Sequence, residues 1–278
     1  MQLFAPAKIN LSFRILRRRA DGFHEIDTLM APISLGDELT IEPNESEAGI
    51  VFSSDDPSLP AGEENLVVRA ARRFFAEIKA EPRVRIALRK KIPHGAGLGG
   101  GSSDAASTLL GLNELHNAPI AADRLAILAA EIGSDVPFFL VRGAARCRGR
   151  GEIVEPVGAL PELALLLLKP EFGVPTPWAY GKWQDSRELP GIDYAAQTVG
   201  ELNLQNDLER PVFEKHLFLA RMKSWLREQP EVSAALLSGS GSTMFAVLRA
   251  ADGTDALATR ARAELDPELW TCAARVAR

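Results

Sequence analysis

Residues 92–106 read IPHGAGLGGGSSDAA, with glycine at positions 95, 97, 99, 100 and 101. Upstream, VRIALRKKI sets Val84, Ile86 and Leu88 against Arg83, Arg85 and Arg89, an alternation that predicts a strand. Downstream, SSDAASTLLGLNELH predicts a helix that starts at Ser102 or Ser103, with serine as N-cap and Asp104 in the first turn. A strand, a glycine loop and a helix start in direct succession make an anion site. Glycine reaches positive φ without strain, so several N–H groups can converge on one oxyanion, and the helix end adds partial positive charge. A plain surface turn would not need Leu98 and two serines inside the run, nor a helix at once after it. The expected guest is a phosphate.

Two common phosphate loops fit poorly. A Walker A loop places Lys and then Ser or Thr after its last glycine, whereas Gly100 is followed by Gly101. Gly95, Gly97 and Gly100 do match G-x-G-x-x-G, but a dinucleotide fold should continue into a strand that ends in an acid for the ribose. Here the chain runs through HNAPI into a second helical stretch, AADRLAILAAEIG. A dinucleotide-dependent oxidoreductase is therefore a minor alternative.

PHGAGLGGGSSDAA resembles the P-x-x-x-G-L-x-S-S-A-A loop of the galactokinase, homoserine kinase, mevalonate kinase and phosphomevalonate kinase (GHMP) superfamily. The likeness runs from APAKINL near the start to SGSGST near the end. The extra glycines resemble the branch whose acceptor is a methylerythritol carried on cytidine diphosphate. The resemblance implies an α+β fold of two domains, residues 1–157 with the ATP loop and residues 158–278 with helices on an antiparallel sheet. It implies Pro93, His94, Gly95, Ala96, Gly97, Leu98, Gly99, Gly100, Gly101, Ser102 and Ser103 as the ATP-phosphate loop, and ATP with Mg²⁺ as co-substrate.

Composition agrees with a globular enzyme. The 278 residues are 46% hydrophobic and 25% charged, enough for one large or two moderate cores. A net charge of −5 gives no basic footprint for nucleic acid or an anionic membrane, although arginines gather at 17–19 and at 146, 148 and 150, where a small anionic substrate could use them. Cys147 and Cys272 stand far apart without a C-x-x-C or His cluster, so neither a disulfide framework nor a zinc site is expected. No signal-peptide core opens the chain, and its longest aliphatic run, Leu163–Leu168, suits a buried strand better than a membrane span. These features predict a cytoplasmic protein with no membrane or nucleic-acid partner; a monomer or weak homodimer is the expectation.

Taken in order, residues 3–13 alternate Leu3, Ala5, Ala7, Ile9, Leu11 and Phe13 against Lys8, Asn10 and Ser12. On its own this is a half-buried strand with a wet face. The resemblance instead turns Lys8 and Asn10 into a cleft beside the reacting hydroxyl. A lysine there would neutralise charge on the transferring group and favour the ionised form of a neighbouring carboxylate. Asp21-Gly22 marks a turn, which puts Phe23 and His24 just past a loop tip before a strand through Leu29. The family implies that this aromatic–His pair holds cytosine. Many members carry Tyr where this chain has Phe23, so stacking would survive and a phenol hydrogen bond would not.

DELTIE and GIVFS predict two further strands, and Asn65 is an N-cap candidate for an amphipathic helix bearing Val67, Ala70, Phe74 and Phe75; the resemblance also places Asn65 near the nucleotide. In EIGSDVPFFL, Gly133 closes a helix, Ser134-Asp135 form a turn, and Val136-Pro137 predicts an extended exit into a Phe138–Leu140 strand. Asp135 alone reads as a turn residue. The family's G-x-D-V-P segment makes it the candidate catalytic base, paired with Lys8. Residues 141–157 read as a hairpin, and Pro156 to Pro161 as the domain boundary. Thr176-Pro177 predicts a helix start with Thr176 as N-cap, and Tyr180 lies one turn on. The resemblance implies substrate contacts at Asn10, Thr176, Tyr180, Gly239, Ser240 and Gly241, beside Phe23 and His24. No carboxylate cluster suggests a protein metal site.

The expectation is an ATP-dependent kinase of this superfamily acting on a cytidyl-linked methylerythritol, in the non-mevalonate route to isoprenoid precursors. A same-fold kinase for homoserine or mevalonate, and a catalytically silent nucleotide sensor, stay open as alternatives.

Overall fold

The protein is described here by a computed structural model covering residues 1–276. Its first strands are long: β1 spans Gln2–Arg18 and β2 spans His24–Pro43, paired antiparallel over most of their length. The two strands expected on either side of Leu29 and Asp37 are thus one. β2 can run unbroken because it changes partners: its first half pairs with β5 (Ala145–Gly149) and its second half with β4 (Arg83–Arg89). β3 (Gly49–Ser54) lies parallel to β4 at one edge, and β6 (Ile153–Pro156) closes the expected hairpin with β5.

Beyond residue 158, β7 (Ala164–Lys169), β10 (Val232–Leu237), β11 (Met244–Leu248) and β12 (Trp270–Arg275) form a four-stranded antiparallel sheet in the order β10-β11-β7-β12. Two short strands, β8 (Gln197–Val199) and β9 (Leu202–Asn206), leave that half of the chain to join the first sheet. There β9 lies parallel to β1 through Ser12 and Phe13.

The helices are α1 (Leu66–Glu77), α2 (Gly100–Leu115), α3 (Ala122–Ile132), α4 (Thr176–Lys182), α5 (Glu209–Lys215), α6 (Leu217–Glu228) and α7 (Thr254–Glu264). α1, α2 and α3 bury Phe74, Phe75, Leu109, Leu112 and Leu128 against the first sheet, while α5, α6 and α7 bury Phe213, Met222 and Leu257 against the second. A third core joins the sheets: Ala7, Ile9 and Leu11 of β1 meet Leu165, Leu167, Ala234 and Phe245. β7 is therefore covered on both faces, Leu166 and Leu168 by helices and Leu165 and Leu167 by β1. That is why its sequence is a continuous aliphatic run rather than an alternation.

Two local expectations fail for identifiable reasons. Val136 is right-handed helical (φ −62°, ψ −42°), and Pro137–Leu140 form a short 3-10 helix instead of a strand. The steric bias of a pre-proline residue towards extended backbone is worth little here beside the burial of Phe138 and Phe139 against α2. α2 begins at Gly100, two residues earlier than the serines suggest, because Gly99 adopts φ +72° and caps it without any side-chain bond. Asp104 thus falls beyond the first turn and points inward, 2% exposed.

Candidate active site

A cavity of about 980 Å³ is lined from both halves of the chain. β1 contributes Lys8 and Asn10, and the chain ahead of β2 contributes Phe23. The glycine loop supplies Pro93 through Ser102, α4 supplies Thr176 and Tyr180, and the β10–β11 turn supplies Gly239 and Ser240. His24, Asn65 and Asp135 complete the set. Two of the expected residues lie behind the wall: Ser103 is fully buried with its hydroxyl unpartnered, and Gly241 is buried without lining the cavity.

Lys8 reaches the cavity because β1 is irregular where it matters. The β1–β2 register slips between Pro6 and Lys8 and again between Asn10 and Ser12, and such bulges re-aim side chains. With Ala7, Ile9 and Leu11 buried between the sheets, Lys8 and Asn10 face the glycine loop; they are 4% and 1% exposed. The Lys8 ammonium donates to Asn10 Oδ1 at 2.6 Å and to the Gly97 carbonyl at 2.9 Å, and lies 3.8 Å from Asp135 Oδ2. Asn10 is oriented in turn by its Nδ2 bond to Thr28 Oγ1 at 2.8 Å, whose hydroxyl donates to the Ser12 carbonyl. Burial pulls the Lys8 ammonium below the usual lysine range, and the Asp135 carboxylate opposes that shift. Cys147, buried behind the pair, has its thiol pushed up to about 12 by burial and then by Asp135, so it stays a neutral thiol.

The glycine loop is held from across the molecule. Ser238 Oγ donates to the Gly97 carbonyl at 3.0 Å, and the Thr243 N–H donates to Ala96 O at 3.2 Å. Asn206, at the end of β9, donates to the Leu237 and Gly239 carbonyls, each at 2.8 Å, and so fixes the facing turn. At Gly97 the φ is +72°, and an added Cβ would fall 2.2 Å from the Ser238 carbonyl oxygen. Gly97→Ala is therefore expected to destabilise the fold by about 2 kcal/mol. It should melt roughly 4 °C lower in calorimetry and bind nucleotide more weakly.

At the other end of the cavity His24 and Tyr180 have ring centroids 5.3 Å apart, and Tyr180 meets Phe13 edge-on at 6.1 Å. Burial, then Arg18, lowers the His24 pKa, and burial raises that of the Tyr180 phenol. Phe23 is 50% exposed, with the Arg150 guanidinium 4.8 Å above its ring. Thr176 is the first residue of α4 and not its cap; Pro175 holds that position, and the Thr176 hydroxyl pairs instead with Ser240 Oγ at 2.8 Å. Asn65 caps α1 as expected: its Oδ1 accepts from the Val67 N–H and its Nδ2 donates to Pro60 O, so one amide hydrogen is left for a ligand.

The two family models that match are those described as GHMP kinases N terminal domain, over residues 65–143, and GHMP kinases C terminal, over residues 194–267. The 4-diphosphocytidyl-2-C-methyl-D-erythritol kinase of Methylacidiphilum infernorum is 44% identical over 271 residues, 96% of this chain and 93% of the relative. The chain belongs to the 4-diphosphocytidyl-2-C-methyl-D-erythritol kinase family. The family member from Bacillus cytotoxicus is 40% identical, covering 88% of this chain and 86% of its own length. A crystal structure of 4-(cytidine 5'-diphospho)-2C-methyl-D-erythritol kinase superposes with a TM-score of 0.81 at 36% identity and full coverage of both chains. Homoserine kinase from Cytophaga hutchinsonii, at 19% identity and a TM-score of 0.70, shares the fold. A kinase of this family uses ATP and a small-molecule acceptor.

Against this family's fold, the sequence assigned no site role to Lys90, Asp104 or Asn206, whereas the arginine runs expected to serve a small anionic substrate do bring Arg18 and Arg150 to the cavity wall. The arginine clusters were a usable signal. Asn206 and the Lys90–Asp104 contact gave none, since their partners are far away in sequence. Among the described residues no group of three or more His, Cys, Asp or Glu could hold a metal ion, and no helix is long and apolar enough to cross a membrane.

Proposed function

We propose that this protein transfers the γ-phosphoryl group of MgATP to the 2-hydroxyl of 4-diphosphocytidyl-2-C-methyl-D-erythritol. The products would be the 2-phosphate and ADP, in the non-mevalonate route to isoprenoid precursors. The observation that carries the reading is the Lys8–Asp135 pair, 3.8 Å apart, set beside a glycine loop and sharing one cavity with His24, Phe23 and Tyr180. A small acceptor such as homoserine or mevalonate needs no aromatic platform for a base. The family membership supports the same acceptor.

In this reading Gly95 through Ser102, with the uncapped N–H groups at the start of α2, hold the ATP phosphates. Asp135 takes the proton of the acceptor hydroxyl as that oxygen bonds to the γ-phosphorus and the bridging oxygen leaves on ADP. Lys8 steadies the charge on the transferring group. Asn10 orients Lys8, while Phe23, His24, Tyr180 and the Thr176–Ser240 pair receive the cytidyl and erythritol parts. Mg²⁺ belongs to the substrate MgATP and neutralises phosphate charge. Residues 1–157 would supply the nucleotide side and residues 158–278 the facing turn and Tyr180. Free Cys147 and Cys272 suit a reducing cytoplasm, and we propose a monomer or weak homodimer without nucleic-acid or membrane partners.

Phosphorus NMR of the product tests the position of transfer: a new phosphomonoester coupled to the acceptor's C2 is expected, and phosphate on another carbon would refute it. Tyr180→Ala should raise the KM for the cytidyl acceptor about tenfold, the scale of one lost base–aromatic stack. Tyr180→Phe should restore it, with the Kd for ATP unmoved in both variants.

A further inference from the structure

Behind the glycine loop lies a charged group that the proposed transfer does not use. Lys90, just past the end of β4, donates from Nζ to Asp37 Oδ2 at 2.5 Å and to Asp104 Oδ2 at 2.9 Å. Asp37 is fully buried, and its other oxygen accepts the backbone N–H groups of Lys91 and Ile92, where the chain turns out of β4 into the loop. Asp104 has no such second partner: its Oδ1 is buried and unbonded. Two carboxylates therefore share one ammonium, and one buried carboxylate oxygen has no donor from the protein. Lys90 and Asp104 both line the cavity at the loop, where a polyanion is to be bound.

An ionised oxygen buried without a donor is costly, and a nearby polyanion makes it more so. A proton on Asp104 removes both penalties. It makes the triad neutral overall, and Lys90 still bonds to the remaining oxygen. We propose that Asp104, held by Lys90 and Asp37 behind the glycine loop, takes up one proton when the loop binds ATP, so that nucleotide affinity is coupled to proton concentration. This rests on the reading of the loop as the ATP site.

The surroundings of Asp104 favour that role. α1, α3 and the 3-10 helix meet α2 through apolar side chains, among them Phe74, Leu128 and Phe138. The charged groups bonded to it or to its partner are Lys90 after β4 and Asp37 on β2; the same cavity is also lined by Lys8 and Arg18 of β1, Glu64 ahead of α1, His94 of the loop, Asp135 before the 3-10 helix, Arg150 past β5 and Asp185 past α4. Burial first, with the Asp37 charge adding to it against Lys90, already raises the Asp104 acid to about 7 in the free protein. The bound nucleotide would raise it further. The sign follows: below the free value the proton is present in both states and affinity is flat. Between the free and the nucleotide-bound values binding must recruit a proton, and affinity falls as pH rises, by up to about tenfold per pH unit; above both it is flat again.

The test is calorimetry of Mg²⁺ with a non-hydrolysable ATP analogue, in two buffers of different ionisation enthalpy, at pH 6 and pH 8. The wild-type protein should take up close to one proton per nucleotide at pH 8 and almost none at pH 6. Asp104→Asn should lose that uptake and bind with an affinity that no longer follows pH, which separates Asp104 from Lys8, His94 and the phosphate itself. Should the variant not fold, ¹³C-carboxyl NMR of the wild type reports the same quantity: the Asp104 midpoint should move upward on adding nucleotide. Binding without proton uptake, uptake unchanged in Asp104→Asn, or an unmoved midpoint would overturn the proposal and leave the kinase reading intact. Failure to bind the analogue at all would overturn both.

Discussion

Asp135→Asn is expected to lower kcat by about 10²–10⁴-fold, the usual contribution of a general base, with both KM values within about twofold of wild type. The substitution keeps the shape of the side chain and replaces the oxygen that would accept the proton. Because Asp135 is 38% exposed and its ion pair with Lys8 is 3.8 Å long, little folding energy depends on its charge, and the variant should melt close to wild type. A pure loss in kcat is what separates a group acting in the transition state from one that only binds. A KM rise with unchanged kcat, measured in steady-state assays of ADP release, would remove Asp135 from the chemistry.

Lys8→Met is expected to lower kcat by about 10²–10³-fold, on the scale of removing one electrostatic stabiliser of the transition state. The two variants should differ in stability. Lys8 is buried and donates to Asn10 Oδ1 and the Gly97 carbonyl; when the ammonium goes Asn10 Oδ1 loses its donor, while the Gly97 carbonyl keeps the Ser238 hydroxyl. Each unsatisfied buried acceptor costs about 1–3 kcal/mol, partly offset because a buried ammonium no longer has to be desolvated. Denaturant unfolding should therefore show a modest loss for Lys8→Met and almost none for Asp135→Asn. Equal and large losses in both would mean that the pair is a structural ion pair first.

Much of this architecture is legible in the chain because single residues carry it. Asn65 caps α1 through its own side chain, the aliphatic run of β7 is buried on both faces, and the glycine loop ends β4 and opens α2 as its composition demands. Where reading fails, a local rule is outweighed by a distant contact. Serine is a better cap than glycine in isolation, yet α2 starts at Gly100, because Gly99 sits where a Cβ would strike Phe139 and Lys8, at 2.9 and 3.0 Å. Val136 ignores its proline because two phenylalanines must be buried.

β9 is only five residues, LNLQN, and its Leu202–Leu204 alternation is too brief to reveal it. Its last residue, Asn206, is buried to bond two carbonyls more than 30 residues away. The Asp37–Lys90–Asp104 group is similarly hidden, since its members are 53 and 14 positions apart. Lys8 lies between these cases. Its alternation reads as a wet strand face, and only the glycine loop and the β10–β11 turn, which close over Lys8 and Asn10, make that face the wall of a cavity.

The account is tested most directly by ADP release with MgATP and four acceptors in parallel: 4-diphosphocytidyl-2-C-methyl-D-erythritol, mevalonate, homoserine and galactose. The predicted result is turnover confined to the cytidyl compound. Turnover of one of the other three, with the cytidyl compound inert, would contradict the assignment of His24, Phe23 and Tyr180 as the platform that selects the acceptor.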